Sequence, residues 1–277
     1  MNIDNSRPSH HAPRTSPLAP RTSHHAPRTS IIIATHKPYR MPSDSIYLPI
    51  QVGAAGKESI GFQRDDEGDN ISSRNPSFCE LTGLYWAWKN LKTDYVGLVH
   101  YRRHFSCKFF GSKWSRIITG EQLEQILKDY PVILPKKRHY YIETNYSQYS
   151  HAHHAQDLEV ARDIIEELYP DYSEAFDAVM NRRSCHIFNM FIMRYDLFCA
   201  YSDWLFCILF ELESRLDISS YSAYDSRVFG FVAERLLNVW IEKNNILYKE
   251  LPYVFMEKQN WVKKAFAFLK RKLSAGD

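Results

Sequence analysis

Apolar and polar positions follow two different periods along this chain. The run Ile31-Ile32-Ile33-Ala34 is unbroken and apolar, the composition of a central strand buried on both faces. A stretch rich in Pro, Gly and charge follows and reads as a loop. Leu81, Leu84, Tyr85 and Trp88 then recur at helical spacing, so an amphipathic helix is predicted. Pro76 suits its first turn, and Ser77 with Glu80 has capping-box spacing, which predicts a structural role for Glu80. Tyr95–Val99 reads as a second buried strand. Thr119 and Gln122 can cap a helix through Leu123, Ile126 and Leu127, and a short strand follows at 131–135. After a polar, Tyr- and His-rich segment at 136–154, helices are predicted at about 155–169 and 171–181. A strand around 187–193 and long helices at about 196–215 and 223–242 complete the pattern. Strands that alternate with helices imply an α/β fold with a mostly parallel sheet.

Composition narrows the class. The chain has 277 residues, 44% hydrophobic and 14% aromatic, enough for a sizeable single core. Residues 1–30 are a low-complexity repeat built on HHAPRTS, without the aliphatic residues needed to fold. The folded domain is therefore expected over 31–260. The net charge of +3 is uneven. Arg7, Arg14, Arg21 and Arg28 make the first thirty residues +3, and residues 261–277 carry +4, which leaves 31–260 at −4. An acidic body with basic ends is not a nucleic-acid-binding face. On a helical wheel the last segment separates Trp261, Val262, Phe266 and Leu269 from its lysines, the pattern of a basic amphipathic helix at a membrane surface. The five cysteines are scattered without CxxC spacing, as expected of reduced thiols in a cytoplasmic protein. No signal peptide is apparent. The most apolar region, 188–210, is interrupted by Arg194, Asp196 and Asp203 and is not expected to span a membrane.

The densest chemistry lies in YVGLVHYRRHF at 95–105. A buried strand ends there in His100, Tyr101, Arg102, Arg103 and His104. Ligands of open α/β sheets bind beyond the carboxyl ends of strands, and the guanidinium fork matches a phosphate or carboxylate. Alternation along an extended segment sends Arg102 and Arg103 to opposite faces, so one of them is expected to reach the anion.

Several motifs together resemble a known family. ATHKPY at 34–39, IQVGAA at 50–55, GDNIS at 68–72 and NPSFCELTGLYWAWKN at 75–90 come first. YVGLVHYRRHF, FNMFIM at 188–193 and RVFGFVAERL at 227–236 follow in consistent order. This set resembles the bacterial glycosyltransferase domain of capsule and exopolysaccharide clusters, long catalogued only as a domain of unknown function. The resemblance implies a single nucleotide-binding domain of the GT-A type. It also implies transfer of a sugar, with galactofuranose the leading choice, from a UDP-linked donor onto a lipid-linked saccharide at the inner leaflet. Many GT-A enzymes hold a divalent metal with Asp-x-Asp after a central strand. Here that place reads His100-Tyr101-Arg102, so no metal is required and the arginines are expected to stabilise the leaving diphosphate.

The residues themselves suggest roles, each beside a plainer structural reading as a turn, a core amide or a surface ion pair. Thr35, His36 and Lys37 close the first strand, where base and ribose sit in this fold. Asp69, Asn70, Tyr101, Asn189 and Arg227 are further expected donor contacts, with His100 orienting the donor or its diphosphate. Arg227 and Glu234 fall on one helix face, and Glu234 or Asp225 is expected to take the acceptor's proton. His151 and His154 are expected on the acceptor side. A rival reading groups His151, His153, His154 and Asp157 as the metal site of a hydrolase. A second rival is a sugar-binding module without turnover.

Overall fold

The computed structural model describes residues 28–257, so the repeat at 1–27 and the basic segment predicted over 261–277 lie outside the described residues. Eleven strands run in chain order: β1 Thr29–Thr35, β2 Tyr47–Gln51, β3 Gln63–Arg64, β4 Tyr95–His100, β5 Arg103–Phe105, β6 Val132–Pro135, β7 Arg138–His139, β8 Ser184–Cys185, β9 Phe191–Arg194, β10 Tyr248–Leu251 and β11 Tyr253–Phe255. The helices are α1 Asn75–Phe78, α2 Leu81–Asn90, α3 Gly120–Leu127, α4 Asn145–Ala152, α5 Ala155–Leu168, α6 Ser173–Asn181, α7 Tyr195–Arg215 and α8 Val228–Lys243.

The main sheet has the order β10-β6-β9-β4-β1-β2-β3. Pairs along this order are parallel except where β9 inserts antiparallel between β4 and β6, and off it β5 pairs antiparallel with both β4 and β11. Gly97 permits that insertion, because a Cβ there would stand 2.9 Å from Ile192 Cγ1 and 3.1 Å from the Phe191 carbonyl oxygen. Side chains of β1 alternate between two cores: Ile32 and Ala34 face α2, α7 and α8, whereas Ile31 and Ile33 face α3 and β11. The sheet is thus covered on both sides, the condition for a parallel core. No helix among the described residues is long and apolar enough to cross a membrane.

Several boundaries depart from expectation. Strand β1 begins at Thr29 and the Arg28 N–H donates to Asp94 at 2.9 Å, so the folded part starts inside the span assigned to the repeat tail. The single helix expected around Pro76 is two, broken at Cys79, whose φ of 54° no helix accommodates. The Ser77–Glu80 capping box does not form: Ser77 Oγ turns back to the Arg74 carbonyl and Glu80 caps nothing. The Thr119–Gln122 box forms reciprocally, as expected. Strands β2 and β3 lie in the stretch expected as loop, and β10 and β11 follow the last predicted helix, because short pieces with mixed polarity carry no period. Helix α8 starts five residues later than predicted, after a 3-10 turn at Asp225–Arg227.

Candidate active site

The register Ala34↔His100 aligns the carboxyl ends of β1 and β4. Thr35 is fully buried and its hydroxyl donates to the Lys37 carbonyl at 2.7 Å, a local turn that consumes the group expected to meet the donor. The turn stands His36 and Lys37 outward. Tyr101, itself buried, is the hub beneath them. His36 meets its ring edge-on at 5.4 Å, Lys37 Nζ lies 5.2 Å from its centroid and the Arg102 guanidinium 5.1 Å. Burial, then the charges of Arg102, Lys37, Lys57 and Arg227, hold the His36 pKa below its usual value. Arg102 and Lys37 share Glu257 at 3.4 and 3.8 Å, a half-exposed contact worth little in water.

Deeper in the cleft, Glu80 Oε1 accepts from Asn189 Nδ2 at 2.8 Å and lies 4.0 Å from His100 Nε2. Its other oxygen has no hydrogen-bond partner among the described residues. Phe188 and Asn189 both adopt positive φ, 76° and 53°, a strained pair for non-glycine residues. Side chains hold the strain in place. The Phe188 carbonyl accepts from His100 Nε2 at 2.6 Å, and the Phe188 N–H donates to Glu234 Oε1 at 3.0 Å. A carbonyl only accepts, so His100 carries its proton on Nε2. Burial, only partly opposed by Glu80, lowers the His100 pKa and favours the neutral ring. Glu234 also accepts from Arg235, which is buried and reaches Gln148 at 2.6 Å. Burial pushes the Glu234 pKa up, with the Arg235 charge opposing.

Arg103 completes this group. Its guanidinium lies 4.2 Å from the Phe188 ring centroid and 5.1 Å from that of Phe255, close enough to Glu80 and Glu234 to feel their charge. Nε is buried without a hydrogen-bond partner, and the side chain forms no ion pair among the described residues. Arg102 and Arg103 diverge, as alternation along the chain requires. One joins the rim and one the interior.

Other expected residues take different places. Arg227 Nε points to Cys79 Sγ at 3.2 Å, which brings it to the Glu80 turn. Asp225 bonds Ser222 at 2.6 Å and His153 at 3.5 Å, contacts that lower its pKa and tie it to its own loop. Asp69 and Asn70 are turn residues. Asn70 bonds the Asp66 and Gly68 carbonyls, and Asp69 meets Tyr85 and Asn90 toward the far end of α2 from Glu80. In the same loop Asp65, unnoticed in sequence, is fully buried and bonds Gly53, Ala54, Ser72 and Thr82. The histidine run disperses: exposed His151 pairs with Glu143 at 2.7 Å, and His154 stacks on Tyr221 at 4.0 Å beside Asp225. Among the described residues no three His, Cys, Asp or Glu side chains form a metal cluster, which removes the hydrolase reading's ligand set. Glu80 was missed as a site residue because its spacing matched a cap. The signal available was its place in NPSFCELTG, next to a cysteine that breaks the helix.

The family described as "Domain of unknown function (DUF4422)" matches residues 30–245, and the chain belongs to it. Among solved structures it is similar to "WbbM bifunctional glycosytransferase apo structure", with 36% identity and a TM-score of 0.78 over 83% of this chain. The chain spans 45% of that protein's length. A search of curated proteins returns no match.

Proposed function

We propose that the chain is a glycosyltransferase that moves a sugar from a UDP-linked donor onto a lipid-linked saccharide during surface polysaccharide assembly at the cytoplasmic face of the membrane. Galactofuranose is the first donor sugar to test. The observation that carries the reading is Arg103, a partly desolvated guanidinium packed against two mutually perpendicular rings, its buried Nε without a partner, within electrostatic reach of two carboxylates in a strained cleft. Family membership and the likeness to a bifunctional glycosyltransferase support it.

In this reading His36, Lys37, Arg102 and Arg227 draw in the diphosphate, and Tyr101 keeps the first three in place. Glu80 takes the proton from the acceptor hydroxyl, whose oxygen bonds to the anomeric carbon. The bond from that carbon to the diphosphate oxygen breaks and its electron pair leaves on the diphosphate. Arg103 stabilises that charge in a site from which water is partly excluded. Glu234 and His100 act through Phe188, holding the backbone that positions Asn189 against Glu80. The half-exposed His154 edge beside Tyr221 and Asp225 is the proposed acceptor entrance. The chemistry assigned to these residues needs no metal.

A thermal-shift panel of nucleotide sugars identifies the donor, because a true ligand stabilises the native state by mass action. The matching UDP-sugar should raise Tm with or without EDTA, and its slow hydrolysis should survive EDTA. Glu80→Gln should retain the Tm rise and lose turnover about 100-fold or more. Binding without turnover in the unaltered chain would instead establish a sugar-binding module. Loss of both in EDTA would establish a metal site.

A further inference from the structure

Four of the seven large hydrophobic side chains exposed among the described residues sit on two loop tips. They are Phe109 at 70%, Phe110 at 91%, Tyr141 at 81% and Ile142 at 72%. Both tips belong to the edge of the sheet that carries the site. The first loop is tied to it by Lys113 Nζ, which donates to the Met256 and Glu257 carbonyls at 3.2 and 2.9 Å, beside the Arg102–Glu257 contact. The second follows β7, which starts three residues past the carboxyl end of β6 and pairs with β8 in a separate two-stranded sheet; β6 runs parallel to β4 because both pair antiparallel with β9.

These loops are built to hold their apolar residues outward. Gly111, at φ +103°, makes the first turn, and a Cβ there would meet Ser115 Oγ at 2.7 Å. Ser112 and Ser115 bond each other, and Arg116 Nε donates to the Lys108 carbonyl at 3.0 Å, which closes the base of the loop. In the second loop Tyr141 has φ +62°, and Arg183 fixes the turn through the Tyr141 carbonyl at 3.2 Å. Neighbouring phenyl rings held in water by a fixed loop gain nothing for the fold, and such patches mark contact surfaces.

The charge around them indicates what they touch. Residues 107–116 hold Lys108, Lys113 and Arg116, residues 136–142 hold Lys136, Lys137 and Arg138, and neither stretch has an acidic residue. Lys113 and Lys137 are engaged with carbonyls and with Tyr248, while Lys108, Lys136 and Arg138 are exposed. On a body whose residues 31–260 carry a net charge of −4, exposed cations thus flank the exposed aromatics. That pairing complements an anionic bilayer, where apolar tips enter the interface and lysines meet headgroup phosphates.

We propose that the edge bearing the candidate site is a membrane-contact surface whose Phe109–Phe110 and Tyr141–Ile142 tips enter an anionic phospholipid interface. The inference deepens the transferase reading, since a lipid-linked acceptor would then be presented directly to the cleft. It is separate from any contribution of residues 261–277.

Flotation of the full chain tests it, using vesicles of equal parts phosphatidylglycerol and phosphatidylcholine against phosphatidylcholine alone. The unaltered chain should float with the anionic vesicles and much less with the neutral ones. Phe109→Ser/Phe110→Ser should cut the partition ratio at least about tenfold without lowering Tm, and Phe109→Leu/Phe110→Leu should retain it. Tyr141→Ser/Ile142→Ser should also weaken it. The proposal fails if the serine variants float like the unaltered chain, or if the unaltered chain does not float. It also fails if the tips govern self-association, read by light scattering, and not lipid binding. Flotation requires no sugar transfer, so the transferase reading stands or falls separately.

Discussion

Two short segments of this chain are rich in chemistry-bearing residues: His100 to His104 and His151 to Asp157. Their structures diverge in what remains unspent. In the second, His151 pairs with Glu143, His153 stacks against Phe231 at 4.2 Å and meets Asp225, and His154 lies on Tyr221. Asp157 is buried between the hydroxyls of Tyr149 and Tyr221, at 2.8 and 2.7 Å. In the first, Arg103 is held by rings and Arg102 by the Tyr101 ring and one long, half-exposed ion pair. Residue type alone therefore does not mark a site. Bonding capacity that is fixed in position but unspent does.

The sharpest way to break this contrast is at the arginines. Arg103→Ala should cost about 100- to 1,000-fold in turnover, as expected when a preorganised donor to a developing oxyanion is lost. Arg103→Lys should recover little, since an ammonium neither fills the slot between Phe188 and Phe255 nor presents a fork. Arg102→Ala, on the solvated rim, should cost roughly tenfold or less and act mainly on KM. Equal losses at both positions, measured as kcat and KM for the identified donor, would erase the distinction between interior and rim.

His104 tests the same segment through stability. Its ring is fully buried, and burial lowers its pKa to about 4 from an unfolded value of 6.5. Both states are neutral at pH 7. As pH falls below 6.5 the unfolded chain takes up a proton that the folded chain refuses until about pH 4. Stability should therefore fall across that window, by about 3 kcal/mol in all. His104→Phe should flatten the pH dependence of the denaturation midpoint and leave a smaller slope from His100, whose pKa is lowered as well. An unchanged slope would show that other groups control acid unfolding.

The strands β1 and β4 were legible because continuous apolar runs suit a sheet covered on both faces, and the cationic end of β4 stood out against them. Helices α5 to α8 declared themselves by period. What could not be read was long-range. Glu80 becomes a site residue through Asn189, 109 positions away, and through a broken helix at Cys79 that no spacing rule anticipates. Phe188 looked like part of a strand, yet its backbone is turned to positive φ by partners from β4 and α8. Asn70 and Asp69 carried the right chemistry for sugar hydroxyls, but Gly-Asp-Asn is also turn chemistry, and the local bonds won.

A smaller effect should come from the satisfied segment. Asp157→Ala leaves the fully buried Tyr149 hydroxyl without its acceptor, at a cost of about 2 kcal/mol. The denaturation midpoint should drop while turnover per folded molecule holds. A loss of turnover at unchanged stability would return Asp157 to the site.

The smallest effect is expected at His151, and it decides how far the contrast extends. The side chain is exposed and its one bond is to Glu143, eight residues earlier in the chain. Exposed pairs of this kind contribute little, and substitutions away from buried or strained features stay within about 0.5 kcal/mol. His151→Ala should therefore leave stability, donor affinity and turnover within a factor of about two. His154→Ala is the companion measurement, because His154 stacks on Tyr221 beside Asp225 and is proposed to meet the acceptor. It should raise KM for the saccharide acceptor and leave KM for the donor unchanged. If His151→Ala raised the acceptor KM as much, solvent-facing histidines would belong to the site after all. Unspent capacity in the buried cleft would then locate only the donor half of the reaction.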